Sequence, residues 1–290
     1  MFAENPSVIQ DGRKNPRHPG TTASVPLVLV HDGGGTTYSY YLLDELGRVM
    51  MGIANPRFEA GPPWVGGLHE MAALYADLLV SSVRCGPVIL GGWSLGGMLA
   101  LEMAYVLSEK YPAIHVVGLV MIDSVCPMAP SGGWGEAESR LVERRIEWPV
   151  TTKAATRAAV QRCFDEAHKM AREWEPPPTW AFVASQPSQG READGSCDEV
   201  ANTPAATRPP PVVLLRSLSP VPVPEGGLLF VDLYRHERHL GWDNYRQDLF
   251  CRVIDIPGNH YTVFSMDHLG TVSDMIKLAC QTIEDLSSLK

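Results

Sequence analysis

The sequence predicts an α/β fold: a mainly parallel sheet with helices on both faces. Three observations carry that prediction. Short apolar runs, several of them continuous rather than alternating, suit strands covered on both faces. Segments with helical spacing fall between them, so strand and helix alternate through both halves of the chain. With 290 residues, 45% of them hydrophobic, there is enough apolar material for one sizeable core.

The elements follow in order. Residues 1–24 are polar and rich in Pro, Gly and Asn, and read as a flexible tail or linker. "VPLVLV" at 25–30 is a continuous apolar run closed by "HDGGG", and "VMMGI" at 49–53 is a second, closed by "ANP". Residues 66–82 place Leu68, Met71, Tyr75, Leu78 and Leu79 at helical spacing. "GPVILGG" at 86–92 is a strand, and 95–110 a helix with Leu99, Met103 and Leu107 on one stripe. "IHVVGLVMID" at 114–123, "PPVVLLRS" at 210–217 and "CRVIDIPG" at 251–258 are three more strands, and 270–289 is a closing helix. The stretch 87–107 is apolar enough to suggest a membrane span, but Glu102 and a change of period divide it into strand, turn and helix.

The alternation breaks between about 127 and 209. There 136–174 is charged and helix-friendly, and 176–210 is dense in Pro, Ser, Gly and Thr. So long an interruption inside a compact domain suits a lid. The chain therefore reads as one domain over 25–290 with a lid inserted at about 127–209, and it shows no internal repeat.

Composition narrows the function. A net charge of −9 argues against nucleic acid or an anionic membrane as partner. The short basic run "RHERH" at 235–239 reads as a solvated helix face. Six cysteines form no CxxC pair, which leaves a zinc site without support and fits a reduced intracellular protein. The first residues lack the apolar core of a secretory signal, so the expected location is cytoplasmic.

"ILGGWSLGG" at 89–97 then sets one serine among four glycines directly after an apolar strand. So many glycines weaken both strand and helix, so packing stability does not account for them. Gly92-Trp93-Ser94-Leu95-Gly96 fits G-x-S-x-G, with strand before and helix after, where a sharp turn exposes a serine hydroxyl at the sheet's C-terminal edge. Such a hydroxyl needs a base and a group that orients the base. His260 follows "VIDIPGN" on a loop just past a strand and is the preferred base; His268 lies where a helix approaches. Asp123 ends its strand 29 residues after Ser94 and is the preferred acid, with Asp232 and Asp243 as rivals. The tetrahedral intermediate also needs amide donors for its oxyanion. Leu95 N–H at the helix start is one, and Gly33 in "HDGGG", with Gly34 behind it, is the other.

With these residues in hand the chain resembles an α/β-hydrolase, and more narrowly the releasing thioesterase domains of polyketide synthases and nonribosomal peptide synthetases. The resemblance rests on "PLVLVHDGGGTTYSYYLL", "MAALYADLL", "GGWSLGGMLALEMAYVL", "GLVMIDSVCP" and "IPGNHYTVF"; "LGWDNY" at 240–245 is similar to fungal members. It implies an acid after the strand that Asp123 ends. It implies an acyl chain delivered as a thioester on the phosphopantetheine arm of an acyl or peptidyl carrier protein, in cis or in trans, with no separate cofactor. It also implies a lid over the acyl chain, in which Trp134, Trp148, Trp174 and Trp180 fall, either lining a chamber or packing elsewhere. "HD" before the glycines departs from the proline or glycine that many relatives carry second. A carboxylic-ester hydrolase with the same three side chains is the competing reading.

Overall fold

Every residue of Leu27–Val30 is fully buried, and its side chains alternate between two cores: Val28 and Val30 in one, Leu27 and Leu29 in the other. That is why the run is continuously apolar. The computed structural model describes residues 4–12, 24–143, 146, 148–180 and 208–288. The strands are β1 (Ser7–Asp11), β2 (Leu27–Val30), β3 (Val49–Ile53), β4 (Gly86–Trp93), β5 (Ile114–Ile122), β6 (Val212–Ser217) and β7 (Phe250–Ile256). The helices are α1 (Gly67–Ser82), α2 (Leu95–Lys110), α3 (Glu136–Ser139), α4 (Ala154–Glu173) and α5 (Leu269–Ser288).

The sheet order is β1-β3-β2-β4-β5-β6-β7, parallel throughout except for β1. β2 lies between β3 and β4, so the chain leaves β2 on one side for β3 and returns past it to β4. The connections after β2 and β4 diverge there and open a crevice at the strand ends. On one face, α1 and α2 cover Val28, Val30, Leu90, Leu119 and Leu214. On the other, α5 buries Val272, Ile276, Ala279, Cys280 and Ile283, a three-to-four residue stripe, against Ile89, Val120, Ile122 and Leu215. A fully buried leucine such as Leu99 contributes about 2 kcal/mol. From Leu95 to Ala104 every residue of α2 is buried, Glu102 included. Glu102 is held by His69 Nδ1 at 2.7 Å and Trp174 Nε1 at 3.0 Å.

The start of the chain corrects the expectation of a tail over residues 1–24. Ser7–Asp11 pairs antiparallel with β3, and Asn5 brackets Ala54 by giving Nδ2–H to its carbonyl at 2.8 Å and taking its N–H at 3.1 Å. Ile9 packs onto the α5-side core and fills the space left by Gly52. An edge strand buries only one of its sides, so "SVIQD" shows little apolar periodicity. Residues 1–3 and 13–23 lie outside the described residues.

Of the expected lid, residues 144, 145, 147 and 181–207 lie outside the described residues. The rest includes α4, which ends at Glu173, with Trp174 already extended, ahead of Pro176–Pro178, where a helix cannot continue. α4 lies over the loop after β2: Phe164 and Ala167 fill the space where a Gly33 side chain would stand. The tryptophans pack elsewhere than against Ser94. Trp174 and Trp180 are buried, meeting Trp242 and Tyr105 edge-on, Trp134 donates to Tyr234 Oη at 3.0 Å, and Trp148 is half-buried.

Candidate active site

Ser94 sits between β4 and α2 with φ 57° and ψ −120°, a backbone conformation that L-residues rarely adopt. The turn is pinned on each side. Ser94 N–H donates to Ile122 O at 2.9 Å, and Ser94 O accepts from Ser124 Oγ at 2.7 Å. Tyr40 Oη takes Trp93 N–H at 2.9 Å and donates to Val30 O at 2.7 Å, tying the ends of β2 and β4 together. A Cβ on Gly92 would stand 2.6 Å from the backbone of Gly96, so the strand enters the helix at a separation only glycine permits.

The register of β4 against β5 pairs Trp93 with Ile122, which puts Ser94 and Asp123 at the same level of the sheet edge. His260 lies on the loop after β7. The structure brings the three together: His260 Nε2 is 3.0 Å from Ser94 Oγ, and His260 Nδ1 is 2.8 Å from Asp123 Oδ2. The Trp93 ring packs against His260 at 5.4 Å, and Tyr261 meets it edge-on at 4.9 Å.

Burial pushes the Asp123 carboxyl up, but hydrogen bonds and charge from His260 and Arg235 more than offset it and hold it below the usual carboxylate range. An ionised Asp123 accepts only, so Nδ1 carries the imidazole proton and Nε2 is the acceptor facing Ser94.

The rival acids are engaged elsewhere. Asp232 Oδ1 accepts from Arg235 Nε at 2.9 Å and its Oδ2 from Val221 N–H at 2.7 Å; Asp243 pairs with His239 at 2.8 Å. His268 packs beside Gly258 and does not line the cavity that Ser94 and His260 share. Here the basic run departs from expectation. Arg235 is not on a solvated helix face: its side chain is 8% exposed, in a series of turns, and its guanidinium grips both oxygens of Asp123 at 2.6 and 2.9 Å.

Gly33 and Leu95 line a cavity of about 60 Å³ together with Ser94, His260, Met98 and Phe164. Gly34 has its N–H committed to Asp32 Oδ1 at 3.2 Å, which favours Gly33 over Gly34 as the free donor. His31 anchors this loop, with Nε2 2.6 Å from Tyr75 Oη on α1. Burial lowers His31 to about 4, partly offset by the Asp32 carbonyl, so it is neutral at pH 7. Asp32 is half-buried in the cavity wall; burial pushes its carboxyl up to about 7 against the lowering effect of the Gly34 and Asp32 N–H groups. A larger cavity of about 640 Å³ shares Phe164, His168, Ala171, Phe230, Val231 and Tyr261 with the first. It adjoins the Ser94 cavity along α4, whose residues Gln161, Asp165, Lys169 and Arg172 line it further out.

Sequence reasoning missed Arg235, Tyr40, His31 and Asp32. The one available signal for Arg235 was its apolar neighbourhood, Val231, Leu233 and Tyr234, which a solvated face would not carry.

A parallel sheet with an antiparallel edge, entered by a serine at the strand-to-helix turn beside its switch point, makes this an α/β-hydrolase. The solved structures it resembles share that fold. The thioesterase domain of NocB, from a nocardicin cluster, matches with TM-score 0.58 at 24% identity over 92% of this chain and 96% of that one. A Vlm2 thioesterase domain bound with a dodecadepsipeptide matches with TM-score 0.56 at 18% identity over 90% and 95%.

The thioesterase domain model matches residues 25–162. Thioesterase AMT4 of Alternaria alternata is 34% identical, covering 97% of this chain and 93% of its own length. A nonribosomal peptide synthetase, imqB of Aspergillus flavus, is 32% identical over 98% of this chain, which spans 8% of that protein. The chain belongs to the thioesterase family, hydrolases that act on thioester bonds. No helix among the described residues is long and apolar enough to cross a membrane.

Proposed function

We propose that this enzyme releases an acyl or peptidyl chain from the phosphopantetheine thioester of a carrier protein through an acyl-Ser94 intermediate. The observation that carries the mechanism is the relay of 3.0 Å from Ser94 Oγ to His260 Nε2 and 2.8 Å from Nδ1 to Asp123. Ser94 Oγ attacks the thioester carbon while its proton passes to His260 Nε2. Asp123 keeps the imidazole in the accepting tautomer and stabilises the imidazolium. Leu95 and Gly33 amides receive the oxyanion, and such donors are commonly worth about 3 kcal/mol each in rate terms. The C–S bond breaks, His260 returns its proton to the departing sulfur, and the acyl group stays on Ser94. Water, or a hydroxyl, amine or carbon nucleophile of the chain itself, then gives its proton to His260 and attacks the ester carbon; the bond from that carbon to Ser94 Oγ breaks, His260 returns the proton to Oγ, and the product leaves with the serine restored. These steps need side chains and backbone amides alone; phosphopantetheine enters as part of the substrate.

The carrier-borne thioester is supported by relatives that are thioesterases or a peptide synthetase, and by the larger cavity that adjoins the one Ser94 lines. Intact-protein mass spectrometry with carrier-bound acyl thioesters tests it, against an aryl ester of the same acyl group. The expected result is an acyl adduct on the wild type, absent from Ser94→Ala, and faster release from the carrier. Strong preference for the aryl ester with no response to the carrier would establish the ester-hydrolase reading instead. A folded wild type that never acylates at Ser94 would sink both.

A further inference from the structure

We propose that Arg235 is a positioning residue: its guanidinium fixes the Asp123 carboxylate toward His260, and its charge, balanced by Asp232, governs how readily His260 holds a proton. The inference rests on reading Ser94, His260 and Asp123 as the catalytic relay.

Both oxygens of Asp123 are doubly engaged. Oδ1 accepts from Ser217 N–H at 2.8 Å and Arg235 Nη1 at 2.6 Å; Oδ2 accepts from Arg235 Nη2 at 2.9 Å and His260 Nδ1 at 2.8 Å. The carboxylate cannot rotate away from the imidazole without breaking the fork. The fork is itself anchored. Nε reaches Asp232 at 2.9 Å, Nη1 reaches Ser217 O at 3.0 Å and Oγ at 2.9 Å, and Nη2 reaches Val231 O at 2.9 Å. Lysine carries a single ammonium without a planar fork, and cannot reproduce this set.

Charge gives a second role. With Arg235 present, Asp123, Arg235 and Asp232 sum to one negative charge beside the imidazole. Without it, two uncompensated carboxylates stand behind His260 and favour the imidazolium, so the base becomes available only at higher pH. The other titratable groups near His260 are Tyr261 on the same loop, Asp32 after β2 and His168 on α4, all of which line the cavity. They are the same in every variant below, so differences between variants isolate the Arg235 cluster.

The test measures the rate at which a fluorophosphonate probe labels Ser94 as a function of pH. Arg235→Met is expected to lose on the order of 100-fold in maximal rate and to move the midpoint of the rise up by about one pH unit. Arg235→Lys keeps the charge and loses the fork, so its rate falls while its midpoint stays near that of the wild type. Asp232→Asn leaves Arg235 less balanced and moves the midpoint down. If Arg235→Met fails to fold, the other two variants decide. Midpoints unmoved across the folded variants, with rate loss that follows loss of folded protein, would overturn the proposal. A folded wild type that the probe does not label at Ser94 would overturn the relay reading instead.

Discussion

The backbone of Gly96 rests directly on the main chain at Val30: a Cβ added at Gly96 would overlap the Val30 carbonyl oxygen and stand 2.8 Å from that of His31. The first turn of α2 is thereby clamped to the end of β2, beside the cavity-lining Gly33. Helix propensity alone says that Gly96→Ala should stabilise by about 1 kcal/mol. The contact says the reverse, because the obstacle is backbone that cannot rotate away. Gly96→Ala is expected to destabilise by about 2–3 kcal/mol net, read as a lowered midpoint in urea unfolding. An unchanged or raised midpoint would show that the clamp yields.

Ser94 concedes stability to function in its backbone. At φ 57° and ψ −120° glycine has no Cβ to clash, whereas serine and alanine do. Ser94→Ala should fold with close to wild-type stability and lose turnover. Ser94→Gly should also be inactive, yet unfold at higher denaturant, by about 1 kcal/mol. Equal stabilities of the two variants in one unfolding series would argue that the turn is unstrained.

Asp123→Asn is expected to reduce turnover by about 10⁴-fold, because an amide can donate to Nδ1 and fix the wrong tautomer. Asp243→Asn, on a carboxylate paired with His239, should leave turnover within about twofold of the wild type. Steady-state kinetics on any substrate that acylates the wild type separates them; the opposite ranking would move the acid to Asp243.

How much of this was legible in the sequence depended on how local the cause was. β2 and β4 announced themselves because both faces are covered, which leaves an uninterrupted apolar run. The alignment of Ser94 and Asp123 followed from two adjacent strands ending at one edge. Ser7–Asp11 escaped because an edge strand needs few apolar residues. Arg235 escaped because the partners that fix it, Asp123 and Ser217, are brought to it only by the folded chain, and the run that follows it in sequence, "HERH", looks solvated. The same holds for Trp174 and Trp180, whose sites are set by partners on α2 and near Trp242.

Asp32 carries a pH dependence of its own. Its carboxyl, pushed up to about 7 by burial in the fold, holds a proton that the unfolded chain gives up near pH 4. The stability tied to that proton is complete below about pH 4 and is lost as pH rises through about 7. Asp32→Asn removes the titration and keeps an oxygen for the Gly34 N–H, so it should match the wild type in melting near pH 4 and exceed it at pH 8. Because Asp32 is only half-buried, solvent in the cavity screens the charge and the gain should be on the order of 1 kcal/mol. Activity should follow the same group. Above pH 7 a negative Asp32 stands next to Gly33 in the cavity where the oxyanion develops, and like charge there opposes the transition state. The wild-type rate should therefore sag above about pH 7, and Asp32→Asn should relieve the sag by several-fold at pH 8. Melting and rate profiles that run parallel for the two proteins from pH 5 to 8 would show that this carboxyl does not titrate in the cavity wall.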